Sequence, residues 1–253
     1  MTTPLPHPVP PSKVAVIIPA FNEEGALPGV LAELRSVLEA RGIDHDAIVI
    51  DDGSEDATAA IAADAGATVL RLPYNLGIGG ALRTGFRYAV SRGYRRAVQF
   101  DADGQHDPEE IEGLLEALDA GADMVVGSRF GDERSTYEVG SVRRSAMRVL
   151  RVTVRLLSGR VFTDTSSGFR GFNERTLELF ARVYPVDYME SVEALVIACA
   201  SGLRVTEIPV AMRTRQHGLP TTRRWRLAYH YLRLLFVVLA TATRRPRPTE
   251  VRP

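Results

Sequence analysis

Cysteine is all but absent, Cys199 being the only one in 253 residues. That excludes a disulfide framework and a cysteine-held metal cluster, and a reducing cytoplasm is the expected setting. Net charge is absent too: thirty-one basic side chains cancel thirty-one acidic ones, which removes the usual electrostatic reason to bind nucleic acid. Long hydrophobic runs are missing. The longest late run, residues 234–243, is ten residues without charge, about half of the ~20 a spanning helix needs. The first twelve residues contain five prolines and no apolar core, the composition of a disordered, exposed leader and not of a secretory signal.

What remains is 45% hydrophobic and 25% charged, enough to bury one sizeable core. The charge is unevenly spread, with eleven arginines against two glutamates from Arg204 onward. Arg223, Arg224, Arg226 and Arg233 precede the late apolar run, Arg244, Arg245 and Arg247 follow it, and Trp225, Tyr229 and Tyr231 lie among the first group. An interfacial helix is written this way; a C-terminal helix docked on the domain with a solvated basic flank is the other reading. The expected organisation is a leader over 1–12, one domain over 13–221 and a basic amphipathic helix and tail over 222–253.

Short β-branched runs at 14–18, 47–50, 67–72, 97–100 and 123–126 alternate with helically spaced segments at 25–41, 56–65, 79–92 and 108–120. This predicts an α/β domain, Rossmann-like, with a mostly parallel central sheet. Ligands of such sheets sit outside the carboxyl ends of the strands, so the polar residues after each strand are the ones to weigh. The apolar stretch 194–200 reads as buried helix, and 204–211 as a further strand.

Asp101-Ala102-Asp103-Gly104-Gln105-His106-Asp107 follows the fourth strand. Two carboxylates one residue apart can offer oxygen to a hard divalent cation while a diphosphate supplies further oxygens, so Mg²⁺ or Mn²⁺ is the expected cofactor. Alone, such a turn is commonly just solvated. It stands in order with Val16-Ile17-Ile18-Pro19-Ala20-Phe21-Asn22-Glu23-Glu24, Asp51-Asp52-Gly53-Ser54, Asn75-Leu76-Gly77-Ile78-Gly79-Gly80 and Gly127-Ser128-Arg129. Together, over about residues 13–215, these resemble the family 2 glycosyltransferases of GT-A fold.

The resemblance implies a nucleotide-sugar pocket lined by Pro19, Phe21, Glu23, Ile50, Asp52, Arg83, Asp101, Ala102 and Asp103. It implies a metal site at Asp101, Asp103 and Gln105, and catalytic roles for Asp103, Arg129 and Arg215. The residues also have plainer readings. Asn22 can cap a helix whose first turn holds Glu23 and Glu24, and Gly77, Gly79 and Gly80 suit a tight turn into a helix.

Asp164-Thr165-Ser166-Ser167-Gly168-Phe169-Arg170-Gly171-Phe172 resembles the Ser-Gly-Phe-Arg segment of the dolichyl- and polyprenyl-phosphate sugar synthases. Those relatives follow Gly-Ser-Arg with a basic segment against the membrane, and here residues 139–163 hold six arginines and no acid. Arg144, Arg148, Arg151 and Arg155 share one helical face, suited to anionic head groups or simply solvated. The resemblance implies amphipathic interface helices and an acceptor-phosphate site at Arg129, Arg143, Arg144 and Arg215. Arg215 and Gly218 match the family's Arg-x-x-Gly, but Leu219, Pro220 and Thr221 depart from the Ser and Lys that normally follow.

The implied activity is inverting transfer of a hexose from GDP-mannose or a UDP-hexose to a polyprenyl phosphate at the cytoplasmic membrane face, with a small membrane protein as a possible partner and no nucleic acid. The alternatives are transfer to a saccharide or small-molecule hydroxyl, with Glu190, Glu193 or Asp107 as base candidates, and a non-catalytic nucleotide-sugar-binding module. Glu190 and Glu193 are expected to be a solvated pair on one helix face.

Overall fold

Alternation sets the first strand. In β1 (Val14–Ala20), Ala15 and Ile17 enter one core while Val14, Val16 and Ile18 enter another, the two-sided burial of a strand inside a helix-covered sheet. The remaining strands are β2 (His45–Asp51), β3 (Thr68–Arg71), β4 (Arg96–Gln99), β5 (Met124–Ser128), β6 (Arg170–Asn173) and β7 (Val205–Pro209). Their order is β3-β2-β1-β4-β6-β5-β7, and only β6 runs against its two neighbours. The mostly parallel α/β sheet is therefore as expected. The computed structural model describes residues 9–130, 154–155, 159–186 and 190–213.

The helices are α1 (Leu27–Ala40), α2 (Thr58–Asp64), α3 (Ile78–Arg92), α4 (Ile111–Asp119), α5 (Glu174–Val183) and α6 (Glu190–Ala200). In α1, Leu27, Val30, Leu31, Leu34 and Leu38 make a buried stripe, and with Ile111, Leu114, Leu115 and Leu118 of α4 they cover one face of the sheet. Helices α3, α5 and α6 cover the other. Phe86 of α3 centres that second core, its ring 5.1, 5.7 and 4.9 Å from those of Phe172, Phe180 and Tyr184 in edge-on or tilted contacts. Its loss to alanine would cost about 3–5 kcal/mol. Helix α3 lies this close because Gly85 has no side chain: a Cβ there would stand 2.5 Å from Ile17 Cγ2.

Several local expectations are corrected. Helix α1 begins at Leu27, and Asn22 does not cap it. Asn22 has φ of 55°, and its side-chain oxygen accepts the Glu55 N–H at 2.9 Å, locking the 20–26 loop onto the turn after β2. Strand β6 and helix α5 lie beyond the expected elements, since Arg170 at a strand's first position hides the apolar pattern; Asn173 caps α5 by accepting the Thr176 N–H at 3.0 Å. Glu190 is buried, not solvated.

From β1 the chain runs outward through β2 and β3, then returns to the other side of β1 at β4. Strands β1 and β4 thus flank the point where strand order reverses, the place where sheets of this kind open a crevice for ligands. The Phe100 N–H, bonded to the Ile17 carbonyl at 3.0 Å, is the last tie before they part.

Candidate active site

The acid turn starts at this parting. Asp101 directs its backbone N–H to His106 Nδ1 at 2.9 Å, so the neutral ring carries its proton on Nε2, 3.5 Å from Asp101 Oδ2. The imidazole stacks on Phe169 at 4.7 Å and meets Phe100 edge-on at 5.4 Å. Burial pushes its pKa down to about 4, against the pull of Asp103 and with the help of Arg129. His106 is thus a neutral brace for Asp101. Asp103 is nearly buried, and its Oδ1 accepts the Gln105 N–H at 3.0 Å.

Arg129 follows directly on β5. Its Nε and Nη2 donate to the two oxygens of Asp164 at 2.6 and 2.7 Å, and Nη2 donates to Ser166 Oγ at 2.8 Å. Asp164 is wholly buried and is fixed in turn by Glu207 of β7, which accepts its N–H at 2.7 Å and that of Thr163 at 2.8 Å. Four residues on from Asp164, a Cβ on Gly168 would stand 3.1 Å from both Asp101 Oδ2 and Gln99 Nε2. Glycine at that position therefore lets the loop that holds Arg129 lie against the acid turn. Asp101, Asp103 and Gln105 share one turn, and the loop that fixes Arg129 packs against that turn.

At the end of β2, each oxygen of Asp52 accepts one backbone N–H, from Leu76 and from Gly77, both at 2.8 Å. Burial raises its pKa, and the two N–H groups oppose that rise. Asp52 therefore shapes the Asn75–Gly77 loop, whatever else it touches. Asp51 is buried and holds the Ser54 N–H at 2.9 Å. The Glu23 N–H donates to Thr58 Oγ1 at 2.9 Å, and Phe21 next to this loop stands 43% exposed. Pro19 lies opposite Ile50 in the β1–β2 register.

Beneath the acid turn, Gln99 and Arg170 face each other across β4 and β6, both fully buried. Arg170 donates weakly to the Thr165 carbonyl at 3.5 Å, and among the described residues its Nε and Nη1 have no hydrogen-bond partner. Burial lowers its pKa, while Tyr184, Glu190, Asp164 and Asp101 hold the charge in place. Burial raises that of Glu190, opposed by the Ser191 hydroxyl and Arg170. A buried cation surrounded by acids thus underlies the crevice.

The side chains of three other expected residues point elsewhere. The side chain of Ile50 is in the core against α3, and that of Ala102 in the opposite core, so only their backbones can reach a ligand. Arg83 donates to the Arg182 carbonyl at the end of α5. Arg143, Arg144 and Arg215, the basic stripe and the 222–253 segment lie outside the described residues. Asp164 and His106 draw no assignment from the sequence; the only sign of either is its place inside a quoted motif.

Among the described residues no three His, Cys, Asp or Glu side chains form a ready-made metal cage. A cation at Asp101 and Asp103 would therefore need oxygens from a ligand, which is how Mg²⁺ is usually held beside phosphates. The donors are all oxygen, and they fit a hard divalent ion.

The mostly parallel α/β sheet, with an acid turn at its reversal point and the loop of Arg129 against it, is that of a GT-A fold, and the comparisons agree. Residues 15–180 match the profile of glycosyl transferase family 2. The chain belongs to that family and is a glycosyltransferase. It is 32% identical to the polyprenol monophosphomannose synthase of Mycolicibacterium smegmatis over 83% of this chain and 81% of that one. It is also 32% identical to the undecaprenyl-phosphate mannosyltransferase of Micrococcus luteus, over 81% and 86%. Among solved structures, glucosyl-3-phosphoglycerate synthase from Mycobacterium tuberculosis, in complex with Mn²⁺, UDP and phosphoglyceric acid, superposes with a TM-score of 0.68 at 21% identity, covering 94% of this chain and 80% of that one. At that identity the likeness concerns the fold.

Proposed function

We propose that this glycosyltransferase moves a hexose, with inversion, from GDP-mannose or a UDP-hexose to a polyprenyl phosphate at the cytoplasmic face of a membrane. The observation that carries this reading is the Asp101–Asp103 turn lying against the loop that fixes Arg129, so that acid oxygens and a guanidinium border one crevice. The polyprenol and undecaprenyl-phosphate relatives support the acceptor class.

An acceptor phosphate oxygen attacks the anomeric carbon opposite the diphosphate; the bond from that carbon to the diphosphate breaks, and its electron pair leaves with the nucleoside diphosphate. The phosphate is already ionised at neutral pH, so no general base is required. Asp101, Asp103 and Gln105 would hold Mg²⁺ or Mn²⁺, which when bound offsets negative charge on the departing diphosphate. Phe21 offers a face to the base, the loop held by Asp52 backs the nucleotide, and Arg129 offers donors to phosphate oxygens. Arg143 or Arg144, with Arg215, would meet the acceptor phosphate. Among the described residues no helix is long and apolar enough to cross a membrane. The lipid would then be reached from the surface through the basic segments, with or without a small membrane protein.

A hydroxyl acceptor is the second reading, favoured by Glu190, a buried carboxyl with a raised pKa of the kind that serves as a base. One assay separates the two. The protein is incubated with Mg²⁺, radiolabelled GDP-mannose or UDP-glucose and a short polyprenyl phosphate, then extracted with organic solvent. Label in the organic phase is the expected result; nucleoside diphosphate release without lipid label would overturn the lipid acceptor.

A further inference from the structure

Past Pro209 the chain crosses the acid turn. Met212 bridges antiparallel to His106, and the Arg213 N–H donates to the Gln105 carbonyl at 2.9 Å. The Arg213 guanidinium then reaches two elements: Nη1 is 2.8 Å from Glu33 of α1, and Nη2 is 3.0 Å from Asp107 Oδ1. The same Asp107 oxygen accepts the Glu109 N–H at 3.1 Å, starting the short helical turn that leads into α4. Gln105 is consequently gripped on both sides, its N–H by Asp103 and its carbonyl by Arg213.

We propose that Arg213 is a positioning residue for the cation-binding turn, tying it to α1 through Glu33 and Asp107; this rests on the reading that Asp101 and Asp103 hold the cation. Three carboxylates, Asp101, Asp103 and Asp107, crowd one turn and repel one another. Arg213 offsets one of them and fixes its place. Half-exposed ion pairs do little for the stability of a fold. Their consequence here is geometric, because a misplacement of ~1 Å at a reacting centre lowers rate far more than it lowers stability. A guanidinium can hold both carboxylates at once because it donates along two directions from a rigid plane, whereas an ammonium at the same position would be a single point.

The test reads cation affinity directly. Mn²⁺ is titrated into the full-length protein in the presence of UDP, and in parallel of GDP, and the bound ion is followed by electron paramagnetic resonance. Arg213→Ala should weaken Mn²⁺ about fivefold and Glu33→Gln about twofold, while the double variant should be no worse than Arg213→Ala, since coupled residues are not additive. Arg213→Lys should fall between wild type and Arg213→Ala. The melting temperature should move by only a few degrees. Unchanged Mn²⁺ affinity in Arg213→Ala, or additive effects in the double variant, overturns the proposal while leaving the cation site intact. A wild type that binds no Mn²⁺ with either nucleotide overturns the cation reading and this proposal with it.

Discussion

Arg129 and Asp164 form a two-pronged ion pair at 2.6 and 2.7 Å, although thirty-five residues separate them, and the carboxylate is wholly buried. The guanidinium is aimed by that carboxylate, and Glu207 anchors the carboxylate's own backbone from β7. An arginine held in this way keeps its direction before any ligand arrives, which is the preorganisation that phosphate recognition at a reacting centre rewards.

Asp164→Asn should therefore lose both activity and stability. Burial alone would raise the pKa of Asp164, but the Arg129 fork and backbone N–H groups outweigh burial and hold it below the ordinary 3.8. Its folded value lies below its unfolded one, so the contribution is complete above pH ~4 and is lost as pH falls through the folded value. Urea denaturation at pH 7 should show a loss of about 3–5 kcal/mol in Asp164→Asn. The variant's stability should also fall less steeply than that of wild type below pH ~4.

Asp52→Asn keeps one acceptor oxygen where the carboxylate had two, so it can hold the N–H of Leu76 or Gly77 but not both. The loosened loop should weaken nucleotide binding without touching the chemical step. In steady-state kinetics the donor KM should rise about tenfold with kcat within about threefold; a fall in kcat at unchanged KM would contradict the assignment.

Arg170 and Glu190 are buried and in electrostatic reach of each other. Arg170→Met strands the acid and should cost about 3–5 kcal/mol. Adding Glu190→Gln should restore a substantial part of that. A double-mutant cycle by thermal denaturation checks it, and simple additivity would show that the two are not coupled.

The β1 to β5 core and the acid turn are legible in the sequence because alternation and strand-end position are local properties, readable along a single stretch. The Arg129–Asp164 pair is not, since no spacing rule joins residues brought together only by the insertion of β6. Arg170 conceals β6 for a related reason: a charged residue argues against an interior strand unless its partners are known, and Glu190 and Asp101 come from other elements. Glu190 reads as solvated from the same cause, its counter-charge Arg170 belonging to a strand the sequence does not reveal.

The most direct test is a crystal grown with Mn²⁺ and UDP or GDP, probed by anomalous scattering. An anomalous peak about 2.2 Å from an oxygen of Asp103 and shared with the diphosphate is the predicted result. Nucleotide bound with no such peak, and the acid turn facing away from its phosphates, would contradict the account.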